Sequence, residues 1–176
     1  MEVGLLLLRL TVGSLIAAHG AQKLFGWFGG YGIAGTGGWL ESMGFRPGRL
    51  HASVTGLAEF GGGVLLMLGL VTPLGAAGVL GVMAVAIATV HWSKGFFNTE
   101  GGFEFNMLVA ASAIVLAFTG PGEYSLDNAL GWNLAGINWG LGAIAVGLIA
   151  AVGVLVSRRV EKPVEESSHK EEPQAA

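Results

Sequence analysis

The chain has 176 residues, enough for one domain; 52% are apolar and the mean hydropathy is +0.64, well above a soluble domain, so a bilayer is the expected solvent. A formal net charge of -3 offers no basic face for phosphates, which excludes the nucleic-acid-binding class, and the absence of cysteine excludes disulfides and thiol redox chemistry by the chain itself. The 31 glycines fit the same solvent, because small residues let helix backbones approach closely in lipid.

At about 20 residues per crossing, five spans are predicted near Val3 to Phe25, His51 to Leu70, Leu74 to Trp92, Glu104 to Thr119 and Asn138 to Val156. The first opens with Glu2 instead of a basic region and carries Arg9, so it reads as a retained span and not as a cleaved signal peptide. The second and third are joined only through Val71 to Pro73 and must form a tight antiparallel hairpin, with Pro73 suited to the start of a helix. The fourth is short and opens on Glu104 and Asn106, so it tilts, thins the bilayer locally or begins in a polar cavity. Trp27, Trp39, Trp92, Trp132 and Trp139 fall at or just outside the span ends, as an interfacial aromatic belt requires.

With five spans, Lys23, Arg46, Arg49, Lys94, Arg158, Arg159 and Lys162 all fall on one side, which predicts an outside N-terminus and a cytoplasmic C-terminus in the inner (plasma) membrane. The expected class is all-α, a polytopic transmembrane helix bundle: a core over residues 1–130, an additional span over 131–156, and a charged tail over 157–176 that is expected to be disordered.

The stretch from Gly30 to Gly35 matches GxGxxG literally, yet it follows a membrane helix and has no acidic residue at the right distance beyond it. It reads as a flexible glycine loop at the interface. More informative are ionisable residues inside apolar runs, where charge is costly and usually faces a cavity or a partner: Arg9, His19, Lys23, Glu59, His91 and Glu104. The last five belong to one half of the membrane. At 1.5 Å per residue, His19 lies about 9 Å and Glu59 about 12 Å from their helix ends on that side, at similar depth. His19 and Lys23 are four apart and share a helix face, which Glu59 completes from the neighbouring span. Such a group either binds a polar headgroup or relays protons, or it is an internal network that fixes helix packing. Arg9 lies near the opposite side, where it snorkels or caps a separate polar pocket. The carboxylates lack the Glu-x-x-His spacing of di-iron bundles, and no metal site is expected.

Taken in order, Arg9-Leu10, the run from His19 to Gly26, Gly29-Gly30, Glu59 with Gly61 to Gly63, Gly69 to Thr72, His91, Gly95 to Phe97, Gly102 to Glu104, Gly120 to Gly122 and Ser125 to Asp127 resemble the DoxX family of small membrane proteins over roughly residues 4–128. The resemblance implies a four-helix membrane core and association with quinone-linked oxidoreductases or with complexes that act in oxidative or thiol stress. It implies no defined reaction, and the fifth span and tail extend beyond the family core. The leading expectation is a membrane subunit of a redox or stress-response system, with a redox enzyme as partner and the His19, Lys23, Glu59, His91 and Glu104 group facing a quinone or another small ligand. A transporter or proton conductor, and a non-catalytic anchor for soluble enzymes, are the alternatives. The glycine-rich helix faces also suit a homo-oligomer.

Overall fold

The computed structural model describes residues 1–159, and among these there is no strand. Seven helices follow in order: α1 (Glu2–Phe25), α2 (Gly32–Ser42), α3 (Gly48–Leu68), α4 (Thr72–Ala86), α5 (Glu104–Thr119), the single turn α6 (Leu126–Ala129) and α7 (Ile137–Val156). α4 continues through a π-helical turn (Ile87–His91) and a 3-10 turn (Trp92–Lys94). Four helices are long and apolar enough to cross a membrane: α1, α3, α4 with its extension, and α7. α5 is apolar but has 16 residues, about 24 Å of helix against roughly 30 Å of hydrocarbon.

The helices α1, α3, α4 and α5 form the bundle: α1 packs chiefly on α3, α3 on α4, α4 on α5, and α5 returns to α1. Val12, Ile16, Leu66, Val79, Ala113 and Leu116 fill the centre. The α1–α3 contact is close enough to touch backbones. A Cβ on Gly63 would lie 2.5 Å from the Ala17 nitrogen, and one on Gly13 2.6 Å from the Gly63 oxygen, so both positions require glycine. α7 lies outside this ring, against α4 and α5. α2, which begins inside the Gly30 to Gly35 stretch expected as a flexible loop, is an ordered helix across the start of α3; Leu40, Phe45 and Ala52 form a second small core beneath it.

The two ends of the bundle differ in charge. Arg159 N–H donates to the Gly44 carbonyl (2.8 Å) and Arg158 Nε to that of Met43 (2.6 Å), so α7 ends beside the α2–α3 connection. Lys23, Arg46, Arg49 and Lys94 belong to that same end, by the alternation of the helices. At the other end the Glu2 carboxylate accepts from Glu123 N–H (2.8 Å), which ties the N-terminus to the segment after α5. The fixed chain therefore runs past the 156/157 boundary set from composition, and the rest of the expected tail, 160–176, lies outside the described residues.

Candidate functional site

Glu59 sits in the middle of α3, three residues before Gly62 and four before Gly63, a face that packs on both α1 and α4. Its side chain is 3% exposed and pairs through Oε1 with Lys23 Nζ, from the last turn of α1; Lys23 is 25% exposed. The second carboxylate oxygen, Oε2, is buried without a protein partner. A buried carboxylate oxygen in that state retains the capacity to hold a proton or accept from a ligand. One helical turn from Lys23, His19 faces α5, with its ring 6.0 Å from that of Phe105. Next along α5, buried Asn106 contacts Met83 Sδ through Nδ2 (3.5 Å) while its Oδ1 has no partner.

His91 and Glu104 are engaged elsewhere. His91 Nδ1 is 2.7 Å from the Gly101 carbonyl, and the exposed Glu104 carboxylate accepts from Asn98 N–H (3.0 Å). Both brace the α4–α5 connection, which Trp92 closes by stacking on Phe103 at 5.4 Å. Of the five residues grouped by depth, Lys23 and Glu59 are thus in direct contact, His19 stands one turn away, and His91 and Glu104 hold the loop.

Arg9 does not snorkel. It is 2% exposed, donates from Nη1 to the Met67 carbonyl (3.2 Å), leaves Nε unpartnered, and lies in the field of the Asp127 carboxylate. Asp127 is 1% exposed. It accepts from Val71 N–H (2.7 Å), Thr72 N–H (3.0 Å) and Thr72 Oγ1 (2.7 Å), while its own N–H donates to the Gly69 carbonyl (2.8 Å). It therefore caps α4 from far along the chain and holds Val71 in a left-handed conformation (φ 43°) that a β-branched residue avoids. The Ser125 to Asp127 segment was a motif element in sequence, with no signal for this pairing.

Beside Lys23, a cavity of about 170 Å³ opens between α2, α3, α4 and α7. Its walls are apolar, including Leu40, Phe45, Val82, Val85 and Val154, with His51, Thr55 and Thr89 adding polar points. The π-helical turn of α4 supplies part of one wall through Thr89 and Val90, and such turns are frequent at functional sites. Lys23, Thr36 and Trp39 also line a wider recess of about 560 Å³ with Gln22, Gly30 and Tyr31. Lys23 thus stands where an apolar cavity meets a more polar mouth. Sequence reasoning missed this cavity because its walls are ordinary alanine, valine and glycine positions.

The family model for DoxX matches residues 4–92, which takes in α1 to α4, Lys23 and Glu59. Inner membrane protein YqjF of Escherichia coli (strain K12) is 31% identical over 129 residues, covering 73% of this chain and 93% of that protein. "Putative oxidoreductase CatD" of Bacillus subtilis (strain 168) is 34% identical over 128 residues, covering 72% of this chain and 86% of that protein. No solved structure matches.

Proposed function

Because this chain belongs to the DoxX family, we propose that it is the membrane subunit of a quinone-linked redox or stress-response system and binds a lipid-soluble quinone beside Lys23. The observation that carries this reading is Lys23 at the edge of an apolar cavity, with its ammonium paired to the buried Glu59 carboxylate behind it. Those residues fit the group. Apolar walls take the ring, the Lys23 ammonium donates to a carbonyl oxygen, and Glu59, buried behind Lys23, holds that ammonium in place. The quinone supplies the two-electron chemistry, and a partner enzyme supplies the electrons. The name of the Bacillus subtilis relative agrees with a redox setting. The transport alternative is less favoured: the packed layer of Val12, Ile16, Leu66 and Val79 lies between the Glu59 end and the Arg9–Asp127 end.

The same reading places the N-terminus outside and the C-terminus in the cytoplasm, since all the described lysines and arginines except Arg9 gather at one end. It treats α1 to α5 as the family core and α7 as an addition.

Purified wild type and Glu59→Gln, compared by mass spectrometry of co-purifying small molecules and by thermal stability with a decyl-tailed benzoquinone, test the proposal. A quinone retained by wild type and lost in Glu59→Gln at equal folded yield is the expected result. No bound quinone and no stabilisation in wild type would overturn it.

A further inference from the structure

α7 lies beyond residues 4–92, so the matched family segment does not account for it. Yet it supplies Ala150, Ala151 and Val154 to the cavity. Two sets of contacts hold it there. Along its length it meets α4 almost backbone to backbone: a Cβ on Gly147 would lie 2.8 Å from the Ala77 oxygen, and one on Gly81 3.0 Å from the Gly147 oxygen. At its end, Arg158 Nε donates to the Met43 carbonyl (2.6 Å), its guanidinium lies 5.7 Å over the Phe45 ring, and Arg159 N–H donates to the Gly44 carbonyl (2.8 Å). Met43 and Phe45 line the cavity themselves, so the contacts that fasten α7 also fix the cavity's rim. α7 thus closes one side of a cavity that stays partly open.

We propose that α7 is the specificity wall of the ligand site: it forms one side of a partly open cavity, and Ala151 and Val154 narrow that cavity to about the volume of one six-membered ring. The volume supports the assignment. An apolar cavity of about 150 Å³ holds a benzene molecule, and the 170 Å³ here matches one ring with small substituents. Anything that projects past Lys23 enters the wider recess, whose Gln22 and Tyr31 suit polar groups. This inference rests on the cavity being a ligand site but not on the ligand being redox-active, and the two are separable by experiment.

The full chain in nanodiscs is titrated with bromobenzene and with decyl-tailed benzoquinone, and binding is read as the saturable tryptophan quenching that Trp39→Phe removes. Ala151→Leu adds three carbons to the cavity wall and is expected to weaken both probes about ten-fold or more. Val152→Leu, on an exposed position of the same helix, leaves both unchanged. Val154→Ala enlarges the space and admits a bromonaphthalene that wild type rejects, which decides the matter if Ala151→Leu fails to fold. Unaltered binding in Ala151→Leu, or rejection of the two-ring probe by Val154→Ala, overturns the role of α7 and leaves the quinone reading standing. Binding of bromobenzene but not of the benzoquinone, lost in Ala151→Leu, keeps the wall and removes the quinone. Binding of neither probe to wild type removes both.

Discussion

Replacing Lys23 with methionine removes the ammonium from a pair whose carboxylate is almost completely enclosed, while replacing Glu59 with glutamine removes the charge from the enclosed side. The two changes are not equivalent. Lys23→Met leaves a 3% exposed carboxylate with no partner on either oxygen, and stripping one member from a buried ion pair costs about 3–5 kcal/mol. Glu59→Gln leaves an amide oxygen that still accepts, opposite a lysine that is 25% exposed and borders the wider recess, so about 1–2 kcal/mol is expected. In the double variant neither charge is stranded, and the coupling energy should be about 2–3 kcal/mol. Reversible unfolding of the four proteins in mixed detergent and dodecyl sulfate micelles measures the cycle. Equal costs for the two single variants, or a cost under about 1 kcal/mol for Lys23→Met, would refute the argument that the carboxylate is the enclosed and dependent partner.

Asp127→Ala orphans three donors at the start of α4 and should lower stability by several kcal/mol at about 1–3 kcal/mol for each buried group. Asp127→Asn keeps one acceptor and should lose about half as much in the same unfolding assay. Gly63→Ala drives a methyl group to 2.5 Å from the Ala17 nitrogen and should cost about 1–3 kcal/mol by overpacking. Gly61→Ala, with nothing within 4 Å, should be neutral or better, and equal behaviour of the two glycines would contradict the close α1–α3 contact. Because the chain has no cysteine, Asn98→Cys and Glu123→Cys report topology directly: a membrane-impermeant maleimide on intact cells should label the second and spare the first.

The long helices were readable because apolar runs bounded by charged and aromatic residues leave few alternatives in a bilayer. α1, α5 and α7 begin and end within a residue or so of their predicted limits. α2 was hidden because Gly29 to Gly38 is rich in a residue that weakens helices in water, and its stability comes from Leu40 packing with Phe45 and Ala52. The Lys23–Glu59 contact was legible from depth, since the two belong to the same half of adjacent helices. Depth alone misjudged His91 and Glu104, whose side chains are taken by Gly101 and Asn98 in a loop with no periodic pattern. The cavity was beyond reach for a different reason. Space between four helices is a property of their separation, and small residues mark close contacts and voids alike.

The cap on α4 also imposes an order on synthesis. Val71 and Thr72 leave the ribosome with N–H groups whose acceptor, Asp127, is 56 and 55 residues further on. At about 5–20 residues per second, that interval lasts roughly 3–11 s. During it the α3–α4 hairpin is unlocked at its turn, and it closes only after α5 has been made and has brought Asp127 back to that end of the bundle. The N-terminal half of this protein is therefore completed by its C-terminal half, and a nascent chain halted before Asp127 carries an unfinished hairpin.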